Sequence, residues 1–153
     1  MSVKDKLSAL GLTLPTAAAP VAAYVPAVKS GNLIFTAGQL PVVDGKLGKE
    51  GKVGSDVTAE DANELSQICA LNALAAISLV ADLDQVERVV RVGGFVNCAP
   101  GFTAIPGVVN GASELLIKVF GDVNGKHART AVGVAELPLN APVEIELIVQ
   151  LKN

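Results

Sequence analysis

Apolar and polar residues alternate through Val143-Glu-Ile-Glu-Leu-Ile-Val149. Val143, Ile145, Leu147 and Val149 therefore share one face of an extended segment, and Glu144 and Glu146 share the other. The same period over residues 128–135 groups Arg129, Ala131, Gly133 and Ala135 on one face, with Thr130, Val132 and Val134 opposite. These segments follow an Asn124-Gly125 turn and read as two paired strands. Upstream, residues 24–28, 33–37 and 39–43 read as strands, with Lys29-Ser-Gly-Asn32 a turn between the first two. Thr58-Ala-Glu-Asp61 has the form of a capping box and opens a helix to about residue 81, with Leu65, Ile68, Cys69, Ala76 and Leu79 inward. A long valine-rich strand covers 86–97, where Gly93-Gly94 marks a bulge or a close approach of another backbone. Residues 100–106 read as a loop, and 108–120 as a second helix stopped by Gly121. A short N-terminal helix over 2–10 stops at Gly11, and 13–23 form a connector. The order β-β-β-α-β-α-β-β is that of an α+β fold: a mixed sheet with both long helices on one face. The other face then needs water or a partner.

At 153 residues the chain fits one domain over 1–153, with residues 1–18 as its N-terminal helix and connector. Half the residues are hydrophobic and the mean hydropathy is +0.48. The longest apolar run, residues 68–80, is broken by Asn72 and Ser78 and is too short to span a membrane. So apolar a chain is expected to cover part of its surface with copies of itself. Charges at Lys4, Asp5 and Lys6 stand where a signal peptide needs an apolar core, which points to the cytoplasm. Cys69 and Cys98 lack metal-ligand spacing and read as small buried hydrophobes. A net charge of −3, no Trp and one Tyr give no electrostatic or stacking footprint for nucleic acid.

Gly45, Gly48, Gly51 and Gly54 recur every third residue, but no Gly-Lys here is followed by Ser or Thr, so the stretch is a mobile loop and not a phosphate-binding one. His127 has no second His or Cys at ligand spacing and is placed at a subunit rim. Arg129 has more to offer. A guanidinium over the shallow floor of Ala131 and Gly133, with Glu144 and Glu146 on the neighbouring strand, can hold a small organic acid through two parallel hydrogen bonds. The competing structural reading is a partly exposed ion pair contributing roughly 0 to 1 kcal/mol.

Tyr24-Val-Pro-Ala-Val, Ser30-Gly-Asn-Leu-Ile-Phe-Thr-Ala-Gly-Gln-Leu-Pro41, Val109-Asn110-Gly, Ala128-Arg-Thr-Ala-Val and Leu137-Pro with Val143-Glu-Ile-Glu occur in order along the chain. Together they resemble the reactive-intermediate deaminase family, also called the YjgF type. Residues 99–116 resemble a branch with a longer loop before the second helix. The resemblance implies a chorismate-mutase-like fold, a homotrimer with clefts between subunits, and no metal or organic cofactor. It also implies hydrolysis of enamines and imines of the 2-aminoacrylate and 2-iminopropanoate kind to a 2-keto acid and ammonia. Carried onto this chain, it makes Arg129 the carboxylate clamp and Glu144 the group that orients or activates water. Tyr24 would close the cleft, and Ala37, Gly38, Asn110 and Ala131 would line it. Near the start of a helix, Asn110 has capping as its structural alternative.

Ala37 and Ala131 stand where many members have Ser and Cys, and the loop over 97–108 is placed to reshape the cleft. The alternative function is a non-catalytic trimeric module that binds 2-keto acids or similar carboxylates in the same cleft. A ribonuclease activity, attached to the family through the name endoribonuclease L-PSP, fits poorly with the acidic charge and scarce aromatics.

Overall fold

A computed structural model describes residues 1–19 and 23–153; residues 20–22 of the expected connector lie outside the described residues. Ser2 and Asp5 cap each other's backbone amides to start helix α1, Val3–Ala9, which ends before Gly11 at φ 72°. Val3 and Leu7 are buried, and Lys6 Nζ donates to the Val119 carbonyl at 2.9 Å.

Strand β1, Ala27–Ser30, pairs antiparallel with β2, Leu33–Thr36, around Gly31 at φ 60°. Pairing starts later than the alternation predicts because Pro26 has no N–H to give the ladder. The expected third strand reduces to one bridge, Gln39 with Ile145, and a two-residue hairpin of β3, Val42–Val43, and β4, Lys46–Leu47. Pro41 interrupts it, and Asn72 Nδ2 takes the freed carbonyls of Leu40 and Val42 at 2.9 and 3.0 Å. The glycine-spaced stretch after the hairpin is pinned at both ends and is not a free loop. Gly51 and Val53 donate to the carbonyls of Asn140 and Asn97, and Ala99 donates back to Val53.

Helix α2, Ala59–Ile77, begins at Thr58, whose hydroxyl accepts from the Asp61 amide. Half of the expected box forms, because the Asp61 carboxylate pairs with Lys49. The helix stops short of residue 81, where Ser78 turns its hydroxyl onto the Ala75 carbonyl, and Leu79 is exposed beyond the end. Strand β5, Val86–Asn97, leads to helix α3, Ile105–Asn124. Pro106 sits in the first turn of α3, where its missing N–H costs nothing, so the helix starts before residue 108 and kinks at Gly121. Strands β6, Ala128–Val134, and β7, Val143–Leu151, complete the sheet.

The strand order is β1-β2-β7-β5-β6, with β5 and β6 parallel and the other neighbours antiparallel. The crossover through α3 places β6 at an edge, and β7 returns between β2 and β5. The strands of Arg129 and Glu144 are therefore separated by β5, which corrects the expected direct pairing. Both long helices cover one face, as expected. A Cβ on Gly94 would meet Val109 of α3 at 2.5 Å, and Ile145, paired with Gly94, shares its face with Val143, whose carbonyl lies 3.6 Å from Cys69 Sγ of α2. On the opposite face Val28, Phe35 and Val132 are exposed at 51, 41 and 39% beside Phe95 and Ile148. The ladder shifts register near Val86 and Val89, while Gly93 and Gly94 mark close approaches by Glu146 and Val109.

Helices α2 and α3 meet at Gly111, where a Cβ would lie 2.0 Å from the Asn63 carbonyl oxygen. Ser66 Oγ donates within this contact and accepts from the Ala112 amide at 3.0 Å, and Asn63 Nδ2 holds the Gly107 carbonyl at 2.8 Å. Gly111→Ala forces these backbones apart and is expected to cost about 1 to 3 kcal/mol, read as a lower urea midpoint at unchanged slope. A midpoint equal to wild type would show that the contact is slack.

Candidate active site

Arg129 lies on the helix-covered side of edge strand β6. It pairs with Val92, and its face neighbours follow the expected alternation: Ala131 pairs with Gly94, and a Cβ on Gly133 would meet Cys98 and Ile105. Its guanidinium is braced by helix α3. Nη1 donates to Asn110 Oδ1 at 2.8 Å and to Ser113 Oγ at 3.2 Å, and Nη2 reaches the Pro106 carbonyl at 3.4 Å. These contacts use three of the five N–H donors and leave Nε–H and one Nη2–H without a partner among the described residues. Half-buried, the group is held in place with two donors to spare.

Ser113 also lies 3.0 Å from His127 Nε2, and His127 Nδ1 lies 2.6 Å from the Gly125 carbonyl. A carbonyl only accepts, so Nδ1 carries the ring proton and the bare Nε2 accepts from the Ser113 hydroxyl. Burial pushes the His127 pKa below the ordinary value of 6.5; the Arg129 charge acts in the same direction, and the bond to Gly125 opposes both. The relay is half-buried, with His127 also lining an outer hollow beside Arg88 and Lys126.

Glu144 occupies the other sheet face, in the row of Phe95 and Val132. Its carboxylate presses on Gly38 so closely that a Cβ there would meet Oε1 at 1.9 Å. None of the described residues donates a hydrogen bond to it. Burial raises its pKa above the ordinary 4.5, and the neighbouring Glu146 raises it further. Beside this position Tyr24, 51% exposed, lines a hollow of about 170 Å³ with Pro26, Gly38, Gln39, Leu40 and Asn72.

The structure thus gathers the candidate residues into two groups. Arg129, Asn110 and Ala131 are together on the helix side of β6. Tyr24, Gly38 and Glu144, with Ala37 next to Gly38 in the chain, are together toward the other edge. Asn110 is not a cap: α3 starts five residues earlier from Ala104, and the Asn110 amide oxygen serves Arg129. Cys98, expected buried, is half-buried beside Gly133, while Cys69 is fully buried as read; burial raises both thiol pKa values. The start of α3 reaches the site through Ile105 and Pro106, and Phe102 in the loop before it packs over Gly54. Sequence reasoning passed over Ser113 and its link to His127. The available signal was Asn110 and Ser113 at i and i+3 on one helix, with His127 just before the strand that carries Arg129.

Among the described residues no helix is long and apolar enough to cross a membrane. The family described as YjgF/chorismate mutase-like, and as a candidate endoribonuclease, matches residues 4–151. The Trypanosoma cruzi protein TCP17 is 43% identical over 152 residues, covering 99% of this chain and 95% of that protein. A crystal structure of an Agrobacterium tumefaciens protein of unknown function superposes with a TM-score of 0.90 at 43% identity, over 99% of this chain and 94% of the other. A Shewanella oneidensis protein described as a candidate endoribonuclease superposes at 0.94 with 30% identity, over 99% and 100% of the two chains.

Proposed function

The chain belongs to the YjgF/chorismate-mutase-like family, and on that premise we propose that it hydrolyses small imines and enamines of 2-amino acids to 2-keto acids and ammonia. The observation that carries this reading is the braced Arg129, whose two spare N–H donors suit a carboxylate. With the carboxylate fixed there, the imine carbon is held for attack, and positioning supplies much of the rate. Water adds to the imine carbon while Glu144 takes one of its protons and passes it to nitrogen; the resulting carbinolamine hydroxyl then gives up its proton to the leaving nitrogen as the C–N bond breaks, which yields a keto acid and ammonia. A raised pKa suits Glu144 for taking and returning that proton.

In one protomer Arg129 and Glu144 are two strands apart, roughly 10 Å, and on opposite faces. A small acid cannot touch both. We therefore place the reaction in a cleft between copies of the chain, in which the Arg129–Asn110 group of one protomer meets the Tyr24–Gly38–Glu144 group of the next, as in a homotrimer. The exposed Val28, Phe35 and Val132 supply an apolar surface for that contact. In this arrangement the backbones at Ala37 and Ala131 line the cleft without the hydroxyl and thiol of other members, and Ile105 and Pro106 form its outer wall.

A coupled assay tests the proposal: an amino-acid oxidase generates the imine, and keto acid release is timed with and without the protein. Acceleration that scales with protein concentration is expected. None, over several side-chain sizes, would favour the non-catalytic carboxylate-binding module.

A further inference from the structure

We propose that His127 is a positioning residue for Arg129, acting through Ser113 so that the carboxylate clamp holds its ligand while His127 is neutral and loosens when His127 is protonated. The inference rests on the reading of Arg129 as a clamp and extends it to regulation of that site. Geometry carries it. The chain of contacts runs from the Gly125 carbonyl through His127 and the Ser113 hydroxyl to Arg129 Nη1 and on to Asn110. Each link fixes the direction of the next. With Nδ1–H given to Gly125, Nε2 can only accept, so the Ser113 proton points at His127 and its lone pairs point at Arg129.

Protonation reverses this order. Nε2 becomes a donor, the Ser113 oxygen must accept from both sides, and its own proton loses its acceptor. A second positive charge also appears two residues from the guanidinium, inside a half-buried contact where screening is weak. The other charged groups around His127 do not offset it. Arg88 and Lys126 line the hollow on its outer side with Gln150, and Asp122, the acid nearest in sequence, is paired with Lys126 at 2.9 Å. The surroundings therefore favour neutral His127, the state in which Ser113 braces Arg129.

The chain has a single histidine, so its ring signals can be followed by NMR without assignment. The experiment titrates His127 from pH 5 to 8.5 in wild type and Arg129→Gln, with and without pyruvate, and measures pyruvate affinity over the same range in wild type and His127→Gln. Glutamine keeps an acceptor for Ser113 and does not titrate. The expected wild-type tautomer is Nδ1–H, and the titration midpoint should rise in Arg129→Gln and fall on adding pyruvate. Wild-type affinity should be roughly three- to tenfold weaker at pH 5.5 than at pH 8, and flat in His127→Gln. The two readouts must agree by linkage, because a tenfold change in affinity corresponds to a shift of about one pH unit. An Nε2–H tautomer, an unchanged midpoint in Arg129→Gln, or a wild-type pH profile kept by His127→Gln would overturn the proposal. If wild type binds no pyruvate while Arg129→Gln still moves the midpoint, the relay stands and the carboxylate reading of Arg129 falls.

Discussion

Arg129→Ala is expected to lower carboxylate binding and imine turnover together, by about a hundredfold or more. Each hydrogen bond from a charged donor to a carboxylate contributes roughly 1.5 to 3 kcal/mol, and the two spare donors of Arg129 act on one group. The loss should appear in kcat/KM, and equally in the affinity of a non-reacting 2-keto acid, because the clamp serves ground state and transition state alike. Arg129→Lys should rescue little, since an ammonium cannot present the paired donors or satisfy Asn110, Ser113 and Pro106 from one plane. Stability gives the control. Truncation leaves the Asn110 and Ser113 acceptors to water, so a small loss of about 1 kcal/mol is expected, far below the functional effect. Isothermal titration with pyruvate on folded Arg129→Ala decides the matter. Binding within a fewfold of wild type would remove Arg129 from the site.

The opposite alternation of β6 and β7 was legible because the side-chain period of a strand is fixed. Arg129 with Ala131 and Gly133, and Glu144 with Glu146, fell on the faces the pattern assigns. What the pattern could not supply was the relation between the two strands. Sequential strands usually neighbour each other, so pairing β6 with β7 was the economical reading. Here β6 follows β5 through a helix and is parallel to it, which sends β6 to the edge and leaves the slot beside β5 to β7. That insertion separates Arg129 from Glu144 within one protomer. Local chemistry explains the smaller differences. Pro26 and Pro41 withhold donors and shorten the first and third strands, whereas Pro106 lengthens a helix backwards because its first turn needs no donor. The role of Asn110 depended on where α3 begins, and helix ends are the least marked part of a periodic pattern. Ser113 is an ordinary residue for a helix, and His127 for the connection just before a strand. Their link exists only because α3 packs over the edge of β6, a tertiary fact with no local signature.

Glu144→Gln is expected to slow imine hydrolysis by roughly 10²- to 10⁴-fold while leaving 2-keto acid affinity within about threefold of wild type, the range for removing a positioned general base. The split follows from where the residues stand. The clamp on the helix side of β6 is untouched, and glutamine keeps the size of the side chain that packs on Gly38, so the cleft keeps its shape. Only the capacity to take a proton is removed. The same variant carries an opposite expectation for stability. In the folded chain Glu144 binds its proton more tightly than when exposed, since burial and Glu146 both raise its pKa above 4.5. Its favourable contribution is therefore complete below that value and is lost as pH rises through the folded pKa, where an ionised carboxylate must sit half-buried beside another. Glutamine escapes that loss. Glu144→Gln should then be at least as stable as wild type at pH 7, with the difference vanishing near pH 4, in urea melts at the two pH values. In wild type the same protonation should give an acid limb to kcat that the variant lacks. Turnover unchanged in Glu144→Gln would assign the water to another group, and equal loss of turnover and ligand affinity would make Glu144 a binding residue instead of a base.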